Sequence, residues 1–555
     1  MAKSDLRIDI LGTVINITTD EDPEYLGRLL EKYRRTIDNV QQLSGIKDPL
    51  KTAVLTGFLL SDDLEKAGSD TQHAEQGSEE SAEAERLTLG MISRLDGLKI
   101  DATQDILDPH SSHKEQKGTE ENKKANKPPA ACSRITAYKL ENLVKHYDWG
   151  SPEWLPALMG QENPGRIPWA ELWMGVNEAG PSRVVQQSKN EAGFSSHLLS
   201  ELISRDRDTM LGRSCAEKYG NLPFLFKVIA VAKPLSIQAH PSAEKALEGF
   251  NRENSERIPL DAANRNYRDP RHKPELICAL SPFAALCGFR NSREICSTLE
   301  ALIQVCDGAI KTNLENLVFA LNQDEENSHK AFLSALFSMD SHGIGPLMIK
   351  TQALLERNFP EYRGEWKLCS YLASLYPEDK PGSDNPSGFS DPGILAPLFM
   401  NIMELKAGEA MYIPTGVLHA YIHGMGIELM ADSDNVLRAG LTTKHIDREE
   451  LSRILNFSEY LPEILKAPVH SPSRFSYPRQ YEEFTLSTLK NQGDTFTCCE
   501  EGPSIMLVTR GNVSVSEGED TALDLRTGES AFIPAGKNLV FSGNFSACMA
   551  SCRYS

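Results

Sequence analysis

The sequence lacks several features that mark whole classes of protein. No apolar run is long enough to cross a bilayer, and the N-terminal residues MAKSDLRIDILG contain no basic start followed by an apolar block. We therefore expect neither a membrane span nor a signal peptide. Acidic residues outnumber basic residues: the chain has 78 aspartates and glutamates but 58 lysines and arginines, and its net charge is −20. A nucleic-acid-binding protein normally needs a basic face, so we expect no nucleic-acid partner.

The cysteines lack the spacing of a metal-binding motif. The 11 cysteines are scattered along the chain, and none forms a CxxC pair. Several lie in apolar surroundings, as reduced thiols of a protein core do, among them Cys278, Cys287 and Cys369. The pattern predicts reduced core thiols without a structural zinc knuckle, and it indicates a cytoplasmic protein.

The chain divides by composition into blocks. Its 555 residues suggest three or four domains, and 40% apolar with 25% charged residues is a globular composition. Near the N-terminus, LRIDILG and VINIT predict two short strands, and helical patterns begin at Asp22 and Asp48. Residues 66–84 are acidic and polar, which predicts a linker or disordered insert, and a short amphipathic stretch follows at 87–98. Residues 103–132 are almost free of apolar residues and predict a disordered linker.

The C-terminal part contains an internal repeat. Residues 291–380 have helical spacing, whereas the chain beyond them has the period of two that is typical of antiparallel sheet. There, MELKAGEAMYIPTGVLHAY (403–421) aligns without gaps to LDLRTGESAFIPAGKNLVF (523–541). Two copies predict a duplicated β-barrel of the double-sheet, jelly-roll kind. Leu539 replaces His419 in the second copy, so only one barrel keeps this polar residue.

Four polar residues in apolar contexts suggest a metal site. Gln238 and His240 in SIQAHP lie two apart on a predicted strand, so both side chains share one face. Glu275 begins the apolar run ELICAL, where an unpartnered charge would be costly, and His419 follows IPTGVL. Histidine and carboxylate are ligands that Zn²⁺ favours. Alternatively, SIQAHP is a strand end that faces water, and each histidine alone is a satisfied core group.

A second polar set follows in GIELMADSDNVLRAGLTTKH (426–445). It contains Glu428, alternating with apolar residues, then Arg438 and Lys444. One interpretation is surface salt bridges, which contribute little to stability. The other is a metal site flanked by fixed cations, which would suit an anionic substrate such as a sugar phosphate.

These motifs resemble the zinc-dependent type I mannose-6-phosphate isomerases, the phosphomannose isomerase family. The resemblance extends over about 133–555 and is carried by YDWGS, AELWMG, LPFLFKV, LSIQAHP, RIPLDAANRNYRDPRHKPEL, FAALCGFR, IPTGVLHAYI and MADSDNVLRAGLTTKH. It implies one Zn²⁺ per chain, a catalytic role for Arg438, and four metal ligands: Gln238, His240, Glu275 and His419. One departure is Asn177, where many members carry histidine, but that position is not a ligand.

The resemblance also implies a fold that is mainly β with a helical insert. Two cupin (jelly-roll) barrels and a helical domain are expected, in agreement with the repeat. The implied division is a first part of the catalytic barrel at 133–290, a helical insert at 291–395, strands carrying His419 and Arg438 at 396–470, and a second barrel at 471–555.

The implied reaction interconverts mannose 6-phosphate and fructose 6-phosphate through a cis-enediol(ate). Zn²⁺ would hold the sugar oxygens, and Arg438 would stabilise the enediolate or organise the transfer, because a guanidinium is a poor base. Glu428 and Lys273 are the candidates for moving the proton. Ser236 and Lys444 are candidates for substrate or phosphate contacts.

The N-terminal residues 1–66 resemble a different family, the small α+β division protein ZapA, which cross-links filaments of a tubulin-like division GTPase. The resemblance is carried by LRIDILGTVINITTDEDPEYLGRLLEKY and KDPLKTAVLTGFLLSDDLEK. We assign 1–102 to this domain, although the insert 66–84 interrupts the helix that forms the family's coiled coil. The domain either binds the division GTPase or only dimerises the enzyme. A further alternative is a cupin that senses sugar phosphate and regulates cell division through this domain.

Overall fold

The computed structural model describes residues 4–10, 13–19, 33, 36–37, 56, 137–187, 194–323, 327–376, 391–467, 473–518 and 522–552. The chain forms two compact units, 1–125 and 126–555. In the first unit, β1 (Ser4–Ile10) and β2 (Thr13–Thr19) pair antiparallel where two strands are predicted. Positions 33, 36, 37 and 56 are helical. The predicted insert 66–84, the stretch 87–98 and the linker 103–132 lie outside the described residues.

Eleven antiparallel strands form the first sheet of the second unit. They are β4 (Leu143–Lys145), β5 (Glu171–Met174), β8 (Phe224–Val231), β9 (Ile237–Ala239), β10 (Glu275–Ala279), β11 (Phe283–Phe289), β12 (Met400–Leu405), β13 (Glu409–Ile413), β14 (His419–Ala431), β15 (Leu437–Gly440) and β16 (Leu465–Lys466). β8 and β10, all of whose residues are buried, flank the long strand β14. Their apolar sequences suit strands covered on both faces.

Another eleven strands form the second sheet. They are β3 (Tyr138–Glu141), β6 (Arg183–Gln187), β7 (Phe194–Leu198), β17 (Arg474–Ser476), β18 (Thr485–Gln492), β19 (Phe496–Glu500), β20 (Ser504–Ser516), β21 (Leu523–Arg526), β22 (Ser530–Ile533), β23 (Lys537–Ser542) and β24 (Asn544–Ser551). β3 pairs with β22, and β6 and β7 extend that edge. The expected division placed 133–290 wholly in the first barrel, whereas these three strands lie in the second sheet.

Twelve α-helices lie in the described part of the second unit. They are α1 (Trp154–Met159), α2 (Leu199–Arg205), α3 (Arg207–Leu211), α4 (Arg213–Tyr219), α5 (Ala243–Ser255), α6 (Ser292–Ile303), α7 (Gly308–Asn322), α8 (Ser328–Ser338), α9 (Ile344–Asn358), α10 (Arg363–Leu375), α11 (Ala396–Phe399) and α12 (Arg448–Ile454). α6 to α10 occupy the stretch with helical spacing. Their apolar faces pack with Phe289 of β11 and Phe399 of α11. No helix in the described ranges is both long and apolar enough to cross a bilayer.

The repeated sequence forms the same local structure twice. Gly408 and Gly528, at equivalent positions, have φ angles of 85° and 84°. Each precedes a glutamate whose carboxylate accepts a backbone N–H three residues earlier, at 2.9 Å in the first copy and 3.0 Å in the second. His419 begins β14, whereas its counterpart Leu539 is fully buried in the apolar core of the second sheet. The unit is thus a mixed α/β structure with many antiparallel strands.

Alanine substitutions at Gly408 and Gly528 test how their surroundings differ. A Cβ at Gly408 would meet nothing within 4 Å, so Gly408→Ala should cost only the about 1–2 kcal/mol of a left-handed residue. A Cβ at Gly528 would lie 2.5 Å from the carbonyl oxygen of Leu158, so Gly528→Ala should lose about 1–3 kcal/mol more. Denaturant unfolding of both variants measures the difference, and equal losses would contradict the packing seen around Gly528.

Candidate functional site

Strand pairing brings three distant residues together. β9 lies between β14 and β15, and in its register Gln238 is opposite both His419 and Arg438. Because directly opposite residues project from the same face, these three side chains share one side of the sheet. His240 follows β9 directly, and Glu275 begins β10, which pairs with β14. The strand register therefore brings together residues that are up to 200 positions apart in sequence, from Gln238 to Arg438.

His240, Glu275 and His419 form a buried cluster whose potential ligand atoms all lie within 4.8 Å of one another. The Nε2 atoms of His240 and His419 lie 3.1 and 3.4 Å from the two carboxylate oxygens of Glu275. Neither Nε2 has a hydrogen-bond partner, and none of the three residues is more than 1% exposed. Buried polar atoms without partners are unusual, and a metal ion bound by the two Nε2 atoms would satisfy them.

Backbone carbonyls determine which nitrogen of each ring faces the cluster. Nδ1 of His240 lies 2.7 Å from the carbonyl oxygen of Asn435, and Nδ1 of His419 lies 3.0 Å from that of Val417. We assign the proton to Nδ1 in both rings, because a carbonyl can only accept. Each Nε2 then directs a lone pair at the Glu275 carboxylate. Two lone pairs and a carboxylate repel one another, and a divalent cation between them would remove the repulsion.

The ionisation of the cluster also suits a cation. Burial, reinforced by the nearby Lys273, lowers the pKa of His240 to about 4. Burial alone would raise the pKa of Glu275, but attraction to His240, in its protonated form at low pH, and to Lys273 outweighs burial and holds that pKa well below its usual value. At neutral pH, therefore, a neutral imidazole faces a carboxylate, which are the forms that bind metal.

A cavity of about 930 Å³ opens in front of this cluster. Of the residues singled out by the sequence analysis, His240 and His419 do not line it. The others do: Ser236, Gln238, Lys273, Glu275, Glu428, Arg438 and Lys444. The cavity is thus bounded by one carboxylate of the cluster and by both predicted groups of polar residues.

Lys227 is a cavity residue that the sequence analysis missed. Its Nζ lies 3.1 Å from the carboxylate of Glu428, 3.9 Å from that of Glu171 and 4.6 Å from the ring centre of Trp173. Burial would lower the pKa of Lys227, but the two carboxylates raise it, so the side chain is charged. The signal was present in the sequence, because Lys227 is the single charged residue of the otherwise apolar strand β8.

Glu428 has an environment that favours a bound proton. Burial raises its pKa; Lys227 opposes this effect, whereas the charges of Glu275 and Glu171 add to it. Lys273, the other predicted proton carrier, is 7% exposed, with its Nζ 3.3 Å from the carboxylate of Glu275. Both candidates are therefore buried polar groups at the cavity wall.

Arg438 and Lys444 bring positive charge to the wall of the cavity. Burial and the neighbouring Arg268 lower the pKa of Arg438, and burial with Arg438 and Arg268 lowers that of Lys444. In the part of the chain that the structure describes, neither residue forms an ion pair, so the interpretation as surface salt bridges is wrong for them. Clustered cations that form no ion pair favour an anionic ligand.

A network behind the cluster positions His240. The side chain of Asn435, which is fully buried, accepts the amide of Arg268 at 2.8 Å and donates to the carbonyls of Asp269 and Arg271 at 2.8 and 2.9 Å. Asn435 also supplies the carbonyl that accepts from His240. The sequence analysis did not single out this residue, since its contacts are made with a loop more than 160 positions away.

Comparisons with known proteins agree with these features. Residues 137–292 match the family described as phosphomannose isomerase type I, catalytic domain, and residues 6–96 match the family described as cell division protein ZapA. The mannose-6-phosphate isomerase of Escherichia coli (strain K12) is 37% identical over 404 residues, which cover 72% of this chain and 96% of that protein. The human enzyme of the same name is 31% identical over 431 residues, with coverage of 72% and 94%.

Solved structures give the same result. A zinc-bound structure of mannose 6-phosphate isomerase superposes with a TM-score of 0.64 at 32% sequence identity. The match covers 76% of this chain and 100% of that chain. A second structure of mannose 6-phosphate isomerase, with zinc and yttrium, has a TM-score of 0.63 at 33% identity and the same coverage.

Asn435→Ala should weaken metal binding by about 10–100-fold, because it frees the backbone that orients His240. Competition with a chelator measures the affinity. The control is Asn491→Ala in the second sheet, where the asparagine also donates to backbone carbonyls, those of Asp494 and Gly543. An unchanged affinity in Asn435→Ala, or an equal loss in the control, would show that the network does not orient the ligand.

Proposed function

The chain belongs to the mannose-6-phosphate isomerase family of enzymes, and we propose that it interconverts mannose 6-phosphate and fructose 6-phosphate with one bound Zn²⁺. Both resemblances seen in the motifs are confirmed by the family matches. The single observation that carries the proposal is the cluster of His240, Glu275 and His419 at a cavity that also holds unpaired cations. A metal site beside an anion-binding surface is what a metal-assisted reaction of a sugar phosphate requires.

The residues present fit zinc. His240, Glu275 and His419 would bind it through the two partnerless Nε2 atoms and the carboxylate, with Gln238 as the proposed fourth ligand. A neutral fourth ligand leaves the site with a net charge of about +1. When bound there, Zn²⁺ would supply a Lewis acid for the sugar oxygens.

The isomerisation moves a proton between C1 and C2 of the sugar. Glu428, whose pKa is raised by burial, is the proposed group that takes the proton and returns it, and Lys273 is the other candidate. Lys227, held charged by its carboxylate neighbours, fixes the position of Glu428. Arg438 remains a cation throughout and stabilises the negative charge of the enediolate.

The phosphate group would lie at the cationic side of the cavity. Lys444 and Ser236 are its proposed contacts, and the positive charge of Arg438 adds to the attraction. An intact proton-transfer apparatus favours an enzyme over a module that only senses sugar phosphate.

The finer architecture that we propose is two cupin barrels with a helical insert. The repeated turns at Gly408 and Gly528 support it, and so does the division into two eleven-stranded sheets. In this arrangement the first barrel keeps the metal site, and the second barrel has replaced the histidine by Leu539 and is structural. We also propose a cytoplasmic enzyme.

The N-terminal unit is proposed to dimerise the chain through 1–102 or to bind the tubulin-like division GTPase. The family match over 6–96 and the hairpin of β1 and β2 support this proposal.

His240→Ala should abolish zinc retention and lower turnover of mannose 6-phosphate by at least about 10³-fold, because it removes a ligand of a Lewis acid. Metal analysis and a coupled isomerase assay, with and without chelator, measure both effects. His423→Ala serves as the control, since His423 lies in the same strand β14 but is exposed and outside the cavity. Full activity in metal-free His240→Ala protein would refute the zinc mechanism.

The full chain should sediment with GTP-assembled filaments of the division GTPase, and a chain without 1–102 should not. Analytical ultracentrifugation of both chains tests dimerisation in parallel. Loss of the dimer without any filament binding would assign 1–102 to dimerisation alone. If the deletion alters neither property, both proposed roles are wrong.

A further inference from the structure

The turn that follows β15 has a backbone conformation that leucine rarely adopts. Leu441 has a φ of 54° and is buried. A β-branched or bulky residue in this region is held there only when its surroundings determine the conformation. The turn also follows an irregularity, because the register of β15 against β9 shifts between Arg438 and Gly440. Leu441 and the next residues up to Lys444 line the cavity.

Two side chains from the helical region hold this turn. One carboxylate oxygen of Asp391 accepts the backbone N–H of Thr442 at 3.3 Å, and the other accepts that of Gly393 at 2.8 Å. The hydroxyl of Tyr376 donates to the carbonyl oxygen of Leu441 at 3.1 Å. Tyr376 follows α10, and Asp391 precedes the 3₁₀ helix Pro392–Leu395. We call Tyr376 and Asp391 the clasp.

The clasp fits closely against both strands that carry site residues. A Cβ on Gly440 would lie 2.9 Å from the Asp391 carboxylate and 3.2 Å from Cα of Gly393. A Cβ on Gly393 would lie 3.0 Å from the side chain of Ile237, the neighbour of Gln238. These two contacts leave no free space, so a change in the clasp must move the turn or the end of β9.

We propose that Tyr376 and Asp391 are positioning residues that hold turn 440–444, and with it Arg438 and Lys444, in the geometry that binds the substrate phosphate. The proposal rests on the proposed isomerase function and gives the helical region a part in it. The clasp contacts Leu441 and Thr442 of the cavity wall, and it contacts none of the metal-binding atoms of the cluster. We therefore expect its loss to affect substrate binding and turnover more strongly than the retention of zinc.

Asp391→Asn tests the carboxylate in the full-length zinc enzyme. The substitution keeps the size of the side chain but turns one acceptor oxygen into a donor that faces a backbone N–H. We expect kcat/KM for mannose 6-phosphate to fall about 10-fold, with zinc content and Tm close to wild type. The control is Asp206→Asn, since Asp206 also accepts a backbone amide, that of Thr209 at 3.3 Å, but Thr209 does not line the cavity, whereas Thr442 does. It should leave kcat/KM unchanged.

Tyr376→Phe removes only the hydroxyl, and it keeps the proposal testable should Asp391→Asn fail to fold. We expect a fall in kcat/KM of about 2–5-fold. Tyr412→Phe is matched to it, because the Tyr412 hydroxyl donates to the carbonyl of Pro478 at 2.9 Å outside the cavity. Calorimetry with inorganic phosphate as the probe should show weaker binding in both clasp variants and wild-type binding in both controls.

The outcomes separate the two proposals. A wild-type chain that binds phosphate but isomerises no sugar phosphate would refute the proposed function. Comparing the phosphate affinities of the clasp variants with that of the wild type would still test whether the clasp positions the turn. An active wild type, together with clasp variants that keep both kcat/KM and phosphate affinity, would overturn the clasp. It would also be overturned if the variants lose zinc or stability in proportion to activity, since the residues would then be merely structural.

Discussion

The structure depends on one unfavourable arrangement, two buried imidazole lone pairs directed at a single buried carboxylate. His240, Glu275 and His419 are held in that arrangement by strand register and by two backbone carbonyls. Without a cation, the three groups repel one another, and their burial weakens the screening by water. The apolar strands β8 and β10 and the Asn435 network keep the cluster in place against this repulsion. Such preorganisation lets a metal bind without a change of fold.

The cavity is lined by both carboxylates and cations, and this combination matches the proposed reaction. The carboxylates lie beside the cluster, and Lys227 pairs with them, so that one region can exchange protons in a nearly neutral environment. Arg438 and Lys444 also line the cavity and form no ion pair among the described residues. A sugar phosphate has a similar polarity, with a neutral reacting end and an anionic end. In the proposed reaction, this distribution would orient the substrate before any bond changes.

The two copies of the repeat show how one local structure serves two purposes. Both use a left-handed glycine and a glutamate that caps the same turn, so the turn is a property of the repeated residues. The first copy continues into His419, and the second into Leu539, which packs in an apolar core. The helical region is tied to the first sheet by Tyr376 and Asp391, which hold a turn that the sequence of the turn itself would not favour.

The sequence alone predicted the strand and helix periods, the repeated turns and the candidate metal ligands, because the first two depend on local spacing and the candidates stand out as polar residues in apolar runs and as part of a family resemblance. Lys227 could have been recognised by the same argument. The tertiary structure alone decided that β3, β6 and β7 join the second sheet, that Lys227 meets Glu428, and that Asn435 orients His240. These contacts join residues about 200 to 390 positions apart. Periodicity indicates which face of a strand is buried, but not which strand lies beside it, since register is set by packing over the whole sheet.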